Sequence, residues 1–351
     1  MTSASGAPAA ASLDLLVLGG TSWLGGAVAR QALERGHRVT CLARGESGTP
    51  PEGVRWERAD RREPAAYDAV ADRHWDAVVE VSWQPAMVRD ALRSLQDRIG
   101  HWVYVSSCSV YADDRTAGQA EDAPTHPPHP GDGPVDIEVY GPAKVACEQA
   151  GLQALGEERV MMARAGLIGG YGDRSDRLGY WPARVARSTG SDQVLVPRLS
   201  GPVQVVDVED LAAWLVSAAE ERIAGPYNAV GDQTTVGAVL EASASAAGRS
   251  PERVEAGDDW LTEQEVEPWA GPESLPLWLP GEEYAGFATR SNDAARRAGL
   301  RLRPLEETVR AALRWETELG LDRERRAGLT AAREQDLLRR LSDEDNHPTP
   351  R

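Results

Sequence analysis

The stretch that decides the fold is LDLLVLGGTSWLGG, residues 13–26 of the 351-residue chain. Its apolar first half predicts a buried strand, its glycines predict a tight turn, and residues 27–35 predict a helix. A second predicted strand, 37–43, completes a βαβ unit. Glycines in the first turn of such a unit let the backbone approach a pyrophosphate at the helix N-terminus. The stretch therefore predicts a dinucleotide-binding loop.

The loop departs from the common glycine spacing at one position. Ser22 stands where a third glycine is frequent, so we expect the loop to be bulkier at its centre. We predict that the cofactor is bound by the loop residues Gly19, Thr21, Ser22, Trp23, Leu24 and Gly25.

The end of the second predicted strand bears on the choice of cofactor. A site for NAD usually has Asp or Glu there, which binds the ribose diol. This chain has Arg44 instead, flanked by Ala43 and Gly45. A guanidinium can bind a 2′-phosphate through two parallel hydrogen bonds. The sequence therefore predicts NADP(H) as the preferred cofactor and NAD(H) as the alternative, unless Arg44 is an ordinary surface arginine.

Strands continue to alternate with helices beyond this unit. Further strands are predicted at 53–57, 76–82 and 101–106, and a helix is predicted at 85–99. Such alternation is typical of an α/β fold with a doubly wound parallel sheet, the Rossmann arrangement. Its functional groups follow the carboxyl ends of the strands.

A tyrosine and a lysine one helical turn apart indicate acid/base chemistry. Of the 38 Lys and Arg residues, only Lys144 is a lysine, and it follows Tyr140 by four positions. A chain that otherwise uses arginine keeps lysine where a compact ammonium is needed. On a helix the two side chains share a face, where the positive charge favours the phenolate. The competing interpretation is a lone lysine on a solvated helix face.

Composition and charge exclude several classes of function. The net charge of −17 would repel a phosphate backbone, so we expect no nucleic-acid partner. No apolar stretch approaches the roughly 20 residues of a membrane span. The three cysteines form neither a disulfide framework nor a zinc pattern. We therefore expect a cytoplasmic protein. We also expect no bound metal, because His126 and His129 resemble a ligand pair only superficially.

Taken together, the motifs resemble the short-chain dehydrogenase/reductase superfamily, in its extended and atypical branches that include the NAD-dependent epimerase/dehydratase-like family. The resemblance runs from Leu15 to about Trp315. Its carriers are GGTSWLG (19–25), SSCSVY (106–111), YGPAK (140–144) followed by Glu148, a strand ending at Arg164 with GGYGD (169–173), VDVEDLA (206–212) and GPYN (225–228). The resemblance implies a catalytic triad in which Ser107 holds the substrate oxygen, Tyr140 is the acid/base, and Lys144 binds the nicotinamide ribose and assists Tyr140.

Further contacts follow from the resemblance. Asp60 would contact adenine, Ser82 would lie at a cofactor-facing strand end, and Gly166 and Leu167 would pass near the carboxamide. The candidate substrate contacts are Trp83, Ser109, Tyr180, Trp181 and Arg184. The last three belong to a helix predicted within 174–187, for which core packing of Trp181 is the competing interpretation.

The expected function is that of an NADP(H)-dependent oxidoreductase acting on a carbonyl or secondary alcohol of a small polar or sugar-like molecule. Dehydration is disfavoured because Cys108 and Ser109 stand where related dehydratases carry carboxyl groups. One alternative is a sugar or sugar-nucleotide epimerase with tightly bound NAD. Another is a non-catalytic member that binds a dinucleotide or RNA.

The predicted domain organisation has a smaller substrate-binding lobe at the C-terminal side. Amphipathic helices are predicted at 305–319 and 325–341. A small-molecule substrate is the expected partner, and the oligomeric state is left open, with a homodimer as one option. The predicted segments are a disordered tail (1–12), the Rossmann domain (13–170, with 203–232 returning to it), the lobe (171–202 and 233–320), a C-terminal helix (321–341) and a second disordered tail (342–351).

Overall fold

The computed structural model describes residues 12–187 and 192–346. Its strands are β1 (Asp14–Leu18), β2 (Arg38–Leu42), β3 (Arg55–Glu57), β4 (Ala77–Glu80), β5 (Trp102–Ser107), β6 (Val160–Ala165), β7 (Leu167–Gly169), β8 (Gln193–Val196), β9 (Pro202–Val203), β10 (Val205–Asp207), β11 (Gly225–Ala229), β12 (Thr234–Thr235), β13 (Glu252–Glu255), β14 (Glu267–Trp269) and β15 (Ser274–Pro276). Its helices are α1 (Trp23–Glu34), α2 (Asp68–Ala71), α3 (Pro85–Leu95), α4 (Tyr140–Leu155), α5 (Arg177–Ala186), α6 (Val208–Glu221), α7 (Val236–Ala247), α8 (Asp258–Glu263), α9 (Asp293–Arg297), α10 (Leu305–Leu319) and α11 (Ala331–Asn346).

A seven-stranded sheet organises the chain, with the strand order β11-β6-β5-β4-β1-β2-β3. The strand β1 pairs in parallel with β2 and β4, and further parallel pairs join β2 to β3 and β4 to β5. Strands covered by helices on both faces are apolar along their length, and β1 has four consecutive buried residues, Leu15 to Leu18. The predicted fold class, a doubly wound parallel α/β sheet, is confirmed.

The chain divides into two compact units. The first consists of the described residues up to Ser106, Pro128–Ala163 and Ala212–Gly225. Its core contains the apolar side chains of β1, β4 and β5 together with those of α3, among them Leu16, Val78, Trp102 and Leu92. By its residue ranges, this unit contains both the glycine loop and the Tyr140–Lys144 pair.

The second unit consists of the described residues of Ser107–Pro127, of Arg164–Leu211 and of the chain from Pro226 onwards. Its core is built from α5, α7, α10 and α11, with Trp181, Leu240, Val309 and Leu337 fully buried. The helix α10 has the predicted bounds, 305–319. No helix among the described residues combines the length and the apolar character needed to cross a bilayer.

The last helix corrects the sequence-based bounds. It was expected at 325–341 and is found at Ala331–Asn346. The hydroxyl of Thr330 accepts a hydrogen bond from the Arg333 amide at 3.2 Å, as an N-cap does, so the helix begins later. Its last turns include Glu344, which accepts a bond from the Trp260 indole at 2.9 Å. Part of the predicted disordered tail is therefore helical, while residues 1–11 and 347–351 lie outside the described residues.

Candidate functional site

The glycine loop is packed closely against neighbouring segments of the first unit. A Cβ added to Gly19, whose φ is +92°, would lie 2.6 Å from the Val81 side chain. A Cβ on Gly20 would lie 2.3 Å from the Cys41 sulfur, and one on Gly25 would lie 2.3 Å from the Gly19 carbonyl oxygen. Close packing therefore requires glycine at all three positions. A glycine-rich turn at the start of a helix fits the pyrophosphate of a dinucleotide.

Ser22 has a role that sequence reasoning missed. The predicted helix started at residue 27, but α1 begins at Trp23 and Ser22 is its N-cap. The Ser22 hydroxyl accepts a hydrogen bond from the Gly25 amide at 3.2 Å and donates one to the Gly19 carbonyl at 2.8 Å. The serine hydroxyl thus links Gly19 to Gly25, the first and last residues of the loop. Its position just before the apolar face of the helix was the available signal.

The remaining loop residues lie in the first turn of α1 or directly before it. Thr21 and Leu24 are buried, and Trp23 is partly exposed. These placements leave their predicted cofactor contacts as predictions.

Arg44 and Asp60 are neighbours in the first unit. The Arg44 guanidinium lies 3.0 Å from Glu46 and 3.8 Å from Asp60, measured between the charged atoms. Hydrogen bonds from Arg62 lower the pKa of Asp60 to about 2, so this carboxylate stays charged. A 2′-phosphate at Arg44 would have to compete with two carboxylates for the same guanidinium.

A buried ion pair under the end of β4 was not foreseen from the sequence. Arg61 donates to both carboxylate oxygens of Glu80 and also bonds the Tyr67 hydroxyl at 2.9 Å. Burial is the largest single effect and opposes the charge on Arg61, but Glu80 and Tyr67 together outweigh it and raise the pKa of Arg61 above its usual value. The same Glu80 carboxylate accepts a bond from the Ser82 amide at 2.7 Å. The pair therefore fixes the chain where it leaves the strand.

The Tyr140–Lys144 pair lies on the first turn of α4. Lys144 is 3% exposed, and its ammonium donates to the carbonyls of Val105 at 2.6 Å and Ser82 at 3.3 Å. The ammonium nitrogen lies 5.8 Å from the Tyr140 ring centre and 4.9 Å from that of Tyr104. This is a buried, anchored cation rather than a solvated one.

Trp83 joins this group. Its ring centre lies 5.4 Å from that of Tyr140, with the planes tilted by 59°. The first unit therefore brings together Ser82, Trp83, Tyr140 and Lys144, while Tyr140 itself remains partly exposed. The four side chains come from the end of β4 and from α4, which sequence spacing alone does not place side by side.

Ser107 and Ser109 belong to the second unit. Ser107 is the last residue of β5, and its hydroxyl accepts a bond from the Ser109 amide and donates to the Ser109 hydroxyl, both at 3.1 Å. The hydroxyl thus caps the turn that follows the strand. Its predicted catalytic role remains a prediction.

Gly166 and Leu167 also belong to the second unit, where both line a largely apolar cavity. A Cβ on Gly166 would lie 2.9 Å from the Val230 side chain. The predicted contact with a carboxamide stays a prediction for both residues.

The three candidate substrate residues on α5 are corrected by their burial. Tyr180, Trp181 and Arg184 are each at most 4% exposed. The Trp181 indole donates to the Pro276 carbonyl at 2.9 Å, and Arg184 forms an ion pair with Glu334 and bonds the Gln193 carbonyl at 2.6 Å. These contacts belong to the core of the second unit. The apolar spacing on α5 fits core packing, the competing interpretation given for Trp181.

The cysteines offer no nucleophile. Burial raises the pKa of Cys41 and of Cys108 to about 12 and that of Cys147 to about 11, so all three are neutral thiols. Within the described ranges no three His, Cys, Asp or Glu side chains form a group that could hold a metal ion.

Comparisons with known proteins agree with this arrangement. The family model of the NAD-dependent epimerase/dehydratase family matches residues 15–230. No curated protein sequence matches the chain. Solved structures share the fold at low identity. WbmH of Bordetella bronchiseptica in complex with NAD⁺ is 17% identical with a TM-score of 0.66, covering 88% of this chain and 100% of that one.

Two sugar-nucleotide epimerases share the same fold. The UDP-N-acetylglucosamine 4-epimerase of Bacillus cereus is 17% identical with a TM-score of 0.63, covering 90% of this chain and 100% of that one. The UDP-glucose 4-epimerase of Thermus thermophilus in complex with NAD is 20% identical with a TM-score of 0.60, covering 86% of this chain and 98% of that one. The family match spans well over half of the chain, including the glycine loop and the Tyr140–Lys144 pair. The chain therefore belongs to the NAD-dependent epimerase/dehydratase family.

Proposed function

We propose that the protein binds a nicotinamide dinucleotide and interconverts a secondary alcohol and a carbonyl on its substrate. The observation that carries the proposal is the position of Lys144, one helical turn after Tyr140. Its buried ammonium donates hydrogen bonds to two backbone carbonyls. A solvated lysine would not be held in this way. The pair therefore fits acid/base chemistry rather than surface charge.

Each residue has a distinct part in the proposed mechanism. The bound nicotinamide would accept or supply the hydride. Tyr140 takes the proton of the alcohol oxygen during oxidation and returns one during reduction. Lys144 has three N–H donors, of which the backbone carbonyls use two, so a third is available for a ribose hydroxyl. Ser107 would hold the substrate oxygen through its hydroxyl.

Epimerisation is the net reaction that the comparisons support best. In an epimerase the same carbon is oxidised and then reduced on its other face, so the dinucleotide is regenerated in each turnover. Family membership and the epimerase folds favour this reaction. At 17–20% identity they do not extend to the choice of a sugar nucleotide.

Net reduction of a carbonyl by NADPH is the second candidate, and Arg44 is the observation that favours it. Native mass spectrometry of the purified protein distinguishes the two candidates. Retained NAD supports the epimerase, whereas protein without cofactor that consumes NADPH with a carbonyl substrate supports the reductase. In the second case Arg44→Ala should reduce the preference for NADPH over NADH at least several-fold.

The proton transfer has its own test. Tyr140→Phe should lower turnover by about 10²-fold or more, because the acid/base hydroxyl is lost. Cofactor affinity, measured by calorimetric titration, should stay nearly unchanged. Tyr171→Phe, at an exposed tyrosine that bonds Glu318, is the matched control and should remain active. Full turnover in Tyr140→Phe would refute the proposal.

A further inference from the structure

We infer that the second unit binds the non-reacting part of the substrate in an apolar pocket, suited to an aromatic or branched alkyl group rather than to a sugar nucleotide. The inference rests on the proposed function and adds the class of substrate to it.

The pocket is walled by apolar side chains from several separate segments of the unit. Leu167, Val230, Trp269, Leu277, Leu279 and Phe287 line it. Phe287 is the only phenylalanine of the chain, and its ring packs edge-on against Trp269 at 5.0 Å between centres. Both rings are partly exposed, so they can present aromatic surface to a ligand.

The polar side chains in the wall already have partners. The Gln204 amide donates to the Gly231 and Arg290 carbonyls, both at 2.9 Å, and its oxygen accepts from the Arg290 amide at 2.9 Å. The Cys108 thiol lies 3.2 Å from the Arg164 carbonyl and is neutral, because burial raises its pKa to about 12. No charged side chain is among the residues described in the wall. A sugar bound here would give up hydrogen bonds to water without replacing them, which is unfavourable.

The pocket by itself is small, with a volume of about 30 Å³, so a ligand must extend beyond it. The pocket shares Pro202, Leu277, Leu279 and Ala288 with a second recess of about 390 Å³. This recess is also lined by Arg198, Asp258, Glu282 and Tyr284. A ligand with an apolar end in the pocket and a polar end in the recess therefore matches the lining.

Chain connectivity relates the pocket to the predicted catalytic serine. Cys108 lines the pocket and directly follows Ser107, the last residue of β5. Because consecutive Cα atoms lie about 3.8 Å apart, a group bound against Cys108 would lie close to the backbone of the residue expected to hold the reacting oxygen.

Two wall residues have unusual backbone conformations. Trp269 has a φ of 66° and Leu277 a φ of 70°, values that bulky residues rarely adopt. Such strain persists only where the surroundings hold it, and it concentrates at ligand sites. Here the Arg177 guanidinium lies over the Trp269 ring at 5.2 Å, and the Trp269 amide bonds the Trp278 carbonyl at 2.9 Å. The wall is thus fixed in shape before a ligand binds.

The test is calorimetric titration of the full chain, in the presence of its dinucleotide, with acetophenone, cyclohexyl methyl ketone and UDP-glucose. At least one ketone should bind more tightly than UDP-glucose. Phe287→Asn should weaken that ketone by about tenfold or more, because it replaces apolar wall with an amide. Phe287→Leu is the matched control and should retain most of the affinity. Leu279→Asn repeats the test at a second, partly exposed wall position, should Phe287→Asn fail to fold.

Two outcomes would overturn the inference: tighter binding of UDP-glucose than of both ketones, or ketone affinity that is the same in a folded asparagine variant and in the parent. Failure of the proposed function has a different signature. It would leave ketone binding intact and sensitive to Phe287→Asn, but no hydride transfer would occur in the parent and Tyr140→Phe would have no effect.

Discussion

At the scale of single residues, Lys144 shows why one cationic side chain differs from the others. Its ammonium donates to two backbone carbonyls that approach it from different segments, the end of β5 and the turn after β4. A compact ammonium can meet acceptors in several directions, whereas a guanidinium is planar and larger. This geometry accounts for the single lysine in a chain that otherwise uses arginine.

We predict that Lys144→Arg will fail as an enzyme despite keeping the charge. The guanidinium does not fit the space between the two carbonyls, and it cannot present a donor to a ribose in the same place. Turnover should fall by about 10²-fold, and cofactor affinity measured by calorimetry should fall as well. Arg93→Lys, the reverse exchange at an exposed residue paired with Asp90, should be silent. Full activity in Lys144→Arg would show that only the charge matters.

At the scale of elements, buried ion pairs join segments that lie far apart in sequence. Arg184 on α5 and Glu334 on α11 are each nearly inaccessible to solvent, and Glu334 also accepts the Leu195 amide of β8 at 3.1 Å. Removal of one partner from such a pair leaves a buried charge uncompensated. The pair therefore joins α5, β8 and α11.

We predict that Arg184→Met will lower the free energy of unfolding by about 3–5 kcal/mol, as breaking a buried pair does. The double variant Arg184→Met with Glu334→Leu should recover most of this loss, because no unpaired charge remains. Urea unfolding measures both effects. If Arg184 has only a structural role, the Michaelis constant for substrate should be unchanged in the folded double variant. A large rise in that constant would restore Arg184 as a substrate contact.

At the scale of the whole molecule, His101 couples folding to pH. The side chain is fully buried before β5, where its Nε2 bonds the Ile223 carbonyl at 2.9 Å. Burial lowers the pKa of His101 to about 4, and the neighbouring charge of Arg222 acts in the same direction. The unfolded chain therefore binds more protons than the folded one between about pH 4 and pH 6.5. Stability contributed at this residue is present above that window and is lost as the pH falls through it.

We predict that proton uptake by His101 on unfolding lowers the free energy of unfolding by about 2 kcal/mol when the pH falls from 7 to 5. Urea unfolding at both pH values measures the total loss, to which the many carboxylates also contribute. His101→Gln keeps a hydrogen-bond donor but does not titrate, so its loss over the same interval should be smaller by this amount. Equal losses in the two proteins would show that His101 does not titrate on unfolding.

The sequence by itself determined the fold class and the elements that local pattern controls. The apolar run before the glycines, the alternation of strands with helices, and the amphipathic period of α10 depend on residues close together in the chain. The candidate pair Tyr140 and Lys144 could also be predicted from the sequence, because residues four apart share a face of any helix. The end of α11 was harder to predict from the sequence, since its last turns bond to Trp260 elsewhere in the chain.

Tertiary structure alone decided which of the candidate side chains pack in the core. Arg184 and Trp181 have the residue types of a ligand pocket, but Glu334 and the Pro276 carbonyl, far away in sequence, bury them. The pairing of Arg61 with Glu80 and the wall around Phe287 likewise assemble from distant segments. Local sequence pattern specifies the conformation of the backbone and the face on which a side chain lies. Burial depends instead on which distant segments pack together. Burial in turn determines whether a charged or aromatic side chain packs in the core or contacts a ligand.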